Sequence, residues 1–320
     1  MPRPRCPAVP LCRYADPLIA DLRKRIPAAL EEFDADAIHD ARVSTRRLRA
    51  AIDLLDPAVP AKLLAPLRKT LRRLRRTLGP LRDIDVMLRT LEPLLDHRRH
   101  GPAAAWVRDR LLERRRRERR KAQKKRSPAA LVARLDAWDP LREHLLGLGE
   151  VTEGLMIASL GAQWNSFTAM TRQFDLFAPQ DPHELRIAGK LLRYTFEMLR
   201  RTPRKPPAVV VRTFKRMQDA LGEWHDYVVL GEWAMRFSLD ELLAHHDPRM
   251  QEKVLKLSEF ALKRAARALR RFATLWERRG AQLSPLVAEL VTPPRTGLDR
   301  SGSIPPTIPA TAPPDASSAA

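Results

Sequence analysis

Apolar residues recur at helical spacing along almost the whole chain. Leu67, Leu71, Leu74 and Leu78 fall on one face of a helix, with Lys69, Arg72, Arg73 and Arg76 on the other. Phe214, Met217 and Leu221 repeat that apolar face later in the chain. No convincing run alternates apolar and polar residues with the period of a strand, so the pattern predicts an all-α protein. Gly79-Pro80 predicts the end of the first of these helices, and Asp83 a cap for a following helix from Ile84 to Leu95. Asp36 and the pair Asp181-Pro182 predict caps for helices that carry His39 and His183.

The pattern occurs twice. His39, Arg42, Arg46 and Arg49 align with His183, Arg186, Lys190 and Arg193. Leu78-Gly79 and Asp83 align at nearly the same offset with Leu221-Gly222 and Asp226, and Lys69, Arg72 and Arg73 align with Arg212, Lys215 and Arg216. The stretch 103–126 matches 248–271, and both end heavily basic. Matched segments at a near-constant offset predict a tandem duplication: repeat one over about 14–146 and repeat two over about 147–290, with the boundary near Gly147-Leu148-Gly149. Each repeat predicts a bundle of about four helices, the two related by a pseudo-two-fold axis. Residues 1–13 read as a disordered N-terminal segment holding Cys6 and Cys12, two reduced thiols without a role. Residues 291–320, made of Pro, Thr, Ser and Ala, read as a disordered tail.

Charge changes the picture most. The 320 residues carry 59 Lys+Arg against 38 Asp+Glu, a formal net charge of +21. Such a surplus in a chain with an ordinary apolar fraction predicts a polyanionic partner. No stretch is long enough to span a bilayer, and Met1–Arg13 lacks the apolar run of a secretory signal, so the cytoplasm is the expected compartment. At about 100° per residue, the four stripe positions of each repeat fall within roughly a quarter of a helix circumference. Like charges so aligned repel, and a fold avoids that arrangement unless an anion lies along it. Arg offers a planar fork for phosphate oxygens, Lys a compact charge, and His a ring N–H that gains charge beside an anion.

The two stripes, each His-x-x-Arg-x-x-x-Arg/Lys-x-x-Arg, and the Leu-Gly-x-x-Arg-Asp turn resemble the CHAD domain family over about residues 14–290. The resemblance implies two pseudo-symmetric four-helix bundles with a basic cleft or channel between them, and binding of inorganic polyphosphate with neither catalysis nor a cofactor. It assigns binding to His39, Arg42, Arg46, Arg49, His183, Arg186, Lys190 and Arg193. Lys69, Arg72, Arg73, Arg212, Lys215 and Arg216 would line the same cleft. The second copy departs from the first at His225 in place of Arg82 and at Asp219 in place of Arg76, so unequal grips are expected. The Glu-x-Glu-x-Lys strand of the triphosphate-processing domain fused to many relatives is absent from the sequence.

Asp83 and Asp226 read as caps or as partners that orient a stripe side chain, and Tyr194 as a partly buried ring. The run Glu113–Lys121, continuing to Lys124-Lys125-Arg126, reads as a solvated helix end that would also hold nucleic acid weakly. A nucleic-acid or nucleoid-associated protein is the main alternative. Against it stand an aromatic content of 6% and stripes without interleaved aromatic residues. A metal-dependent phosphohydrolase of the HD type is the enzymatic alternative, given His39-Asp40, His225-Asp226 and His246-Asp247. Arg crowds the first pair and would repel a dication.

Overall fold

The computed structural model describes residues 9–124, 127–175, 182–239 and 247–292, and all regular structure in them is helical. The main helices are α1 (Pro10–Pro27), α2 (Ala35–Asp53), α3 (Ala61–Leu91), α4 (Gly101–Gln123), α5 (Pro128–Ala133), α6 (Trp138–Leu148), α7 (Val151–Gln173), α8 (His183–Leu199), α9 (Ala208–Ser238) and α10 (Pro248–Val291). A π-helical turn, Ala28–Glu32, follows α1, and short 3-10 turns follow α3 and α5. The chain turns at Gly149, where φ is +51°, a conformation suited to glycine, and this is where the sequence places the boundary between repeats. Helices of like rank touch: α1 meets α7, α2 meets α8, α3 meets α9, and α4 meets α10.

Several local expectations change. Helix α3 does not stop at Gly79-Pro80 but runs through both, so Asp83 caps nothing. Pro80 cannot donate to the carbonyl of Arg76, and Arg42 Nη1 donates into the same turn, to the carbonyl oxygen of Arg75 (3.4 Å). Leucines on both sides of the proline stay buried, so packing outweighs the lost bond. The cap of α2 is Asp34, whose carboxylate accepts from the Ala37 amide (2.6 Å), two residues before the expected Asp36. Asp181 lies outside the described residues, and Pro182 precedes α8. The N-terminal segment is ordered from Pro10, because Leu11, Cys12, Tyr14 and Ala15 are buried against the core. Burial pushes the Cys12 thiol up to about 11, with Asp16 adding to the shift, so it stays a neutral thiol. Residues 1–8, including Cys6, and the tail from 293 onward lie outside the described residues.

The two cores do not follow the two halves of the chain. One core joins α1, α2, α6, α7 and α8 to the first parts of α3 and α9, up to Leu81 and Leu221, and to the last part of α10. The other joins α4 and the first part of α10 to the last parts of α3 and α9, beginning at Ile84 and Trp224. Helices α3 and α9 span 31 residues each, about 46 Å of axis, long enough to serve both cores. Between Leu81 and Ile84 stand Arg82 and Asp83, and just past Leu221 and Trp224 come His225 and Asp226. Charged residues therefore occupy the seam where the two apolar cores part.

Candidate functional site

Helix α2 buries Ile38, Ala41, Leu48 and Ile52, and α8 buries Leu185, Leu192, Phe196 and Leu199. That orientation leaves His39, Arg42 and Arg46 on α2, and Arg186 and Lys190 on α8, half-buried at the seam. A Cβ at Gly189, between Arg186 and Lys190, would collide with the Gln218 side chain, so glycine lets α8 close on α9. At Gly79 the demand is weaker: the Arg42 guanidinium lies against α3 there, but a Cβ would meet it only in ordinary contact, at 3.9 Å.

Four helices feed one cluster. Arg42, Arg46, Arg82, Arg186 and Lys190 act on the carboxylates of Asp83 and Asp226, and His39 stands at the edge of the cluster near Arg82, Arg46 and Asp40. Arg46 from α2 repels His39, Arg42 and Arg82 in its own half, and Arg186 and Lys190 in the other. Burial and the repulsion of Arg186 and Arg46, partly offset by Asp226, push Lys190 down to about 7. Burial and Arg46 push Arg42 down to about 10, which leaves it charged. Burial and Arg82 also lower His39, so its charged form appears below the usual histidine range. Surrounding protein raises both carboxyls against the pull of the arginines. Asp83 remains open to water while it is crowded on its protein side.

Among the described residues, Nε of Arg42, Arg46 and Arg186, Nη1 of Arg82 and Nδ1 of His39 are buried without a hydrogen-bond partner. Buried donors are normally satisfied, and an unmet one costs about 1–3 kcal/mol. A cluster with surplus cations and idle donors is suited to an anion that supplies charge and acceptors together.

The stripe ends behave differently. Arg49 pairs with Asp53 (2.6 Å) and Arg193 with Glu197 (3.0 Å), each four residues on along its own helix. Glu197 also binds Arg47 (2.7 Å), which ties α8 to α2. Sequence reasoning passes over Asp53 and Glu197, although both stand at the same place after the last stripe arginine. The His183 ring lies tilted against that of His225, centroids 5.8 Å apart. Arg82 reads in the sequence only as a difference between copies, yet it sits inside the cluster.

Three expected lining residues stand elsewhere. Lys69 lines a cavity with Pro66, Arg134 and Ala137, while Arg212 and Arg216 line one against Arg279 and Gln282 of α10. Positions 69 and 212 lie thirteen and fourteen residues before Arg82 and Asp226, about 20 Å along the helix, which spacing on a helical wheel conceals. Arg72 is exposed, Arg73 is half-buried, and Lys215 pairs with Asp219 (3.7 Å). The basic run on α4 is not wholly solvated: Arg115 donates to the buried Asp85 (2.6 Å) and to the Phe33 carbonyl (2.8 Å). Tyr194 is buried.

Among the described residues, no three His, Cys, Asp or Glu side chains converge as a metal-ligand set, and His246 lies outside them. No single described helix is long and apolar enough to cross a membrane.

Fold and site together define an all-helical protein with a cationic cluster shared by four helices. The chain belongs to the CHAD domain family, whose model matches residues 13–235; the family is associated with polyphosphate. Its fold is similar to the crystal structure of the CHAD domain from the plant Ricinus communis, at 22% identity and a TM-score of 0.58, over 88% of this chain and 90% of that one. It is also similar to PptA from Streptomyces chartreusis, at 17% identity and a TM-score of 0.56, over 82% of this chain and 99% of that one. No curated protein matches the sequence.

Proposed function

We infer that this protein binds inorganic polyphosphate in a basic cleft built by two copies of one helical unit, and that it does so on polyphosphate granules in the cytoplasm. The observation that carries the reading is the set of idle buried donors on Arg42, Arg46, Arg82 and Arg186, drawn from both halves of the chain. The contacts of α2 with α8 and of α3 with α9 support a pseudo-two-fold arrangement of the two copies. A linear phosphate chain suits such an arrangement because it presents acceptors at regular intervals and has no sequence to read. Binding is electrostatic clamping: helices hold the cationic heads in place before the ligand arrives, so the cost of bringing like charges together is already met by folding.

Titration with polyphosphates of increasing length at several salt concentrations tests this reading. With about six phosphate contacts from the cluster, and the polymer treated like a single strand, the log-log salt slope is expected near −4. Affinity should climb with chain length until the cleft is filled and then level off per site. A slope near zero, or equal affinity for pyrophosphate and the long polymer, contradicts the clamp.

A further inference from the structure

The stripes lack aromatic residues, but another face of the molecule has them, interleaved with arginine. On α4, the Arg110 guanidinium lies over the Trp106 ring (4.9 Å). Arg114, one turn on, lies over Trp233 of α9 (4.3 Å), and Arg236 lies near the same ring (5.6 Å). Phe237 links the two tryptophans, 5.5 Å from Trp233 and 6.1 Å from Trp106 between ring centroids. The three rings are half-buried, and the three arginines are exposed. None of the six belongs to the cationic cluster at the seam.

We propose that this strip of α4 and α9 is a second binding surface, and that its ligand is single-stranded nucleic acid. Phosphate alone would need the arginines but not the rings. A strand with bases uses both, because a base stacks on an aromatic ring or on a guanidinium plane that itself rests on a ring, while neighbouring arginines meet the phosphates. Guanidinium groups held over Trp106 and Trp233, 4.9 and 4.3 Å from the ring centroids, bring charge and aromatic surface together where a base and its phosphate would lie. Asp109 and Glu113 lie on the same helix and reduce the local charge, since Glu113 pairs with Arg110 (3.7 Å) and Arg117 (2.6 Å). Binding by charge alone is thereby weakened, and the rings carry a larger share. The proposal is independent of the polyphosphate reading and uses different side chains.

The test uses the full chain and three probes: an oligothymidylate, an abasic strand of equal length, and long-chain polyphosphate. Replacing Trp106 and Trp233 together by Leu removes the aromatic faces and keeps apolar bulk. This variant should bind oligothymidylate at least about tenfold more weakly, since each ring lost removes a platform for a stacked base, and should bind polyphosphate unchanged. The wild-type protein should prefer oligothymidylate to the abasic strand. If the double Leu variant loses helical signal, Arg110→Gln with Arg114→Gln serves instead, with the same preference expected to shrink. Conversely, Arg46→Gln with Lys190→Gln should weaken polyphosphate and spare oligothymidylate. Equal binding of the abasic strand and oligothymidylate, or equal loss of both polyanions in the Trp variant, overturns the proposal without touching the seam cluster. Unchanged polyphosphate binding in the seam variant would overturn the other reading alone.

Discussion

Replacing Arg42, Arg46, Arg186 and Lys190 together by Ala is expected to lower affinity for long-chain polyphosphate by about a thousandfold or more, with helical content retained. Each removed cation takes away a charge-assisted contact and a released counterion, so the losses compound. The same substitutions should raise thermal stability. In the anion-free protein Arg46 repels the other three across α2 and α8, against the pull of Asp83 on Arg42 and of Asp226 on Arg186 and Lys190. Relief of about 1 kcal/mol would raise the melting temperature by roughly 2 °C in a chain of this size. Binding and stability thus move in opposite directions, as at a site held against its own strain. Met at the same four positions keeps the apolar stems and separates lost packing from lost charge. Calorimetry and circular dichroism read both effects. A variant that unfolds with either set of replacements makes the stripes structural.

Lys190 sets the second large effect. Its ammonium is held down to about 7 by burial and by Arg186 and Arg46, with Arg193 adding repulsion and Asp226 opposing it. A bound polyanion favours the charged form, so binding above that value requires proton uptake. Affinity should fall roughly tenfold between pH 6 and pH 8, because above the midpoint each further step of one in pH leaves about a tenth as much ammonium. His39, lowered by burial and by Arg82, adds a further rise in affinity only at more acidic pH. An expectation from histidine alone would centre the change near pH 6.5, whereas the buried lysine moves it upward. Stability of the free protein has the opposite sign. The unfolded lysine, with an ordinary value of 10.5, binds more protons between about 7 and 10.5, so the folded state gains as pH rises through that window. Lys190→Arg should flatten the affinity change near pH 7 and keep binding. A profile identical to wild type in that variant removes Lys190 from the site.

Much of this is legible in the sequence because helices write their burial into spacing. The faces of α2 and α8 and the matched stripes follow from periodicity. What sequence conceals is distance along an axis. Lys69 and Arg212 share a periodic pattern with the site, yet they stand about 20 Å along the axis from Arg82 and Asp226 because α3 and α9 are long and unbroken. The continuity of α3 through Gly79-Pro80 is also hidden. Local propensity predicts a break there, and burial of Leu78 and Leu81 on either side overrides it. The division into cores is hidden for the same reason, since one helix serves two of them. The place of Arg82 is hidden because the second copy has His225 there, and reading by repeat discards what the copies do not share. The aromatic strip needs two helices distant in sequence to come together, and no window along the chain shows Trp106 beside Phe237.

The most direct measurement is a competition titration in about 0.15 M salt, with labelled long-chain polyphosphate on the protein and unlabelled heparin, double-stranded DNA and single-stranded DNA as competitors. A clamp spaced for phosphates holds polyphosphate against all three at equal charge concentration, more firmly as the chain lengthens, even where a single strand occupies its own surface. Equal displacement by every polyanion would mean that the seam cluster is only a basic surface and that no polyphosphate clamp exists.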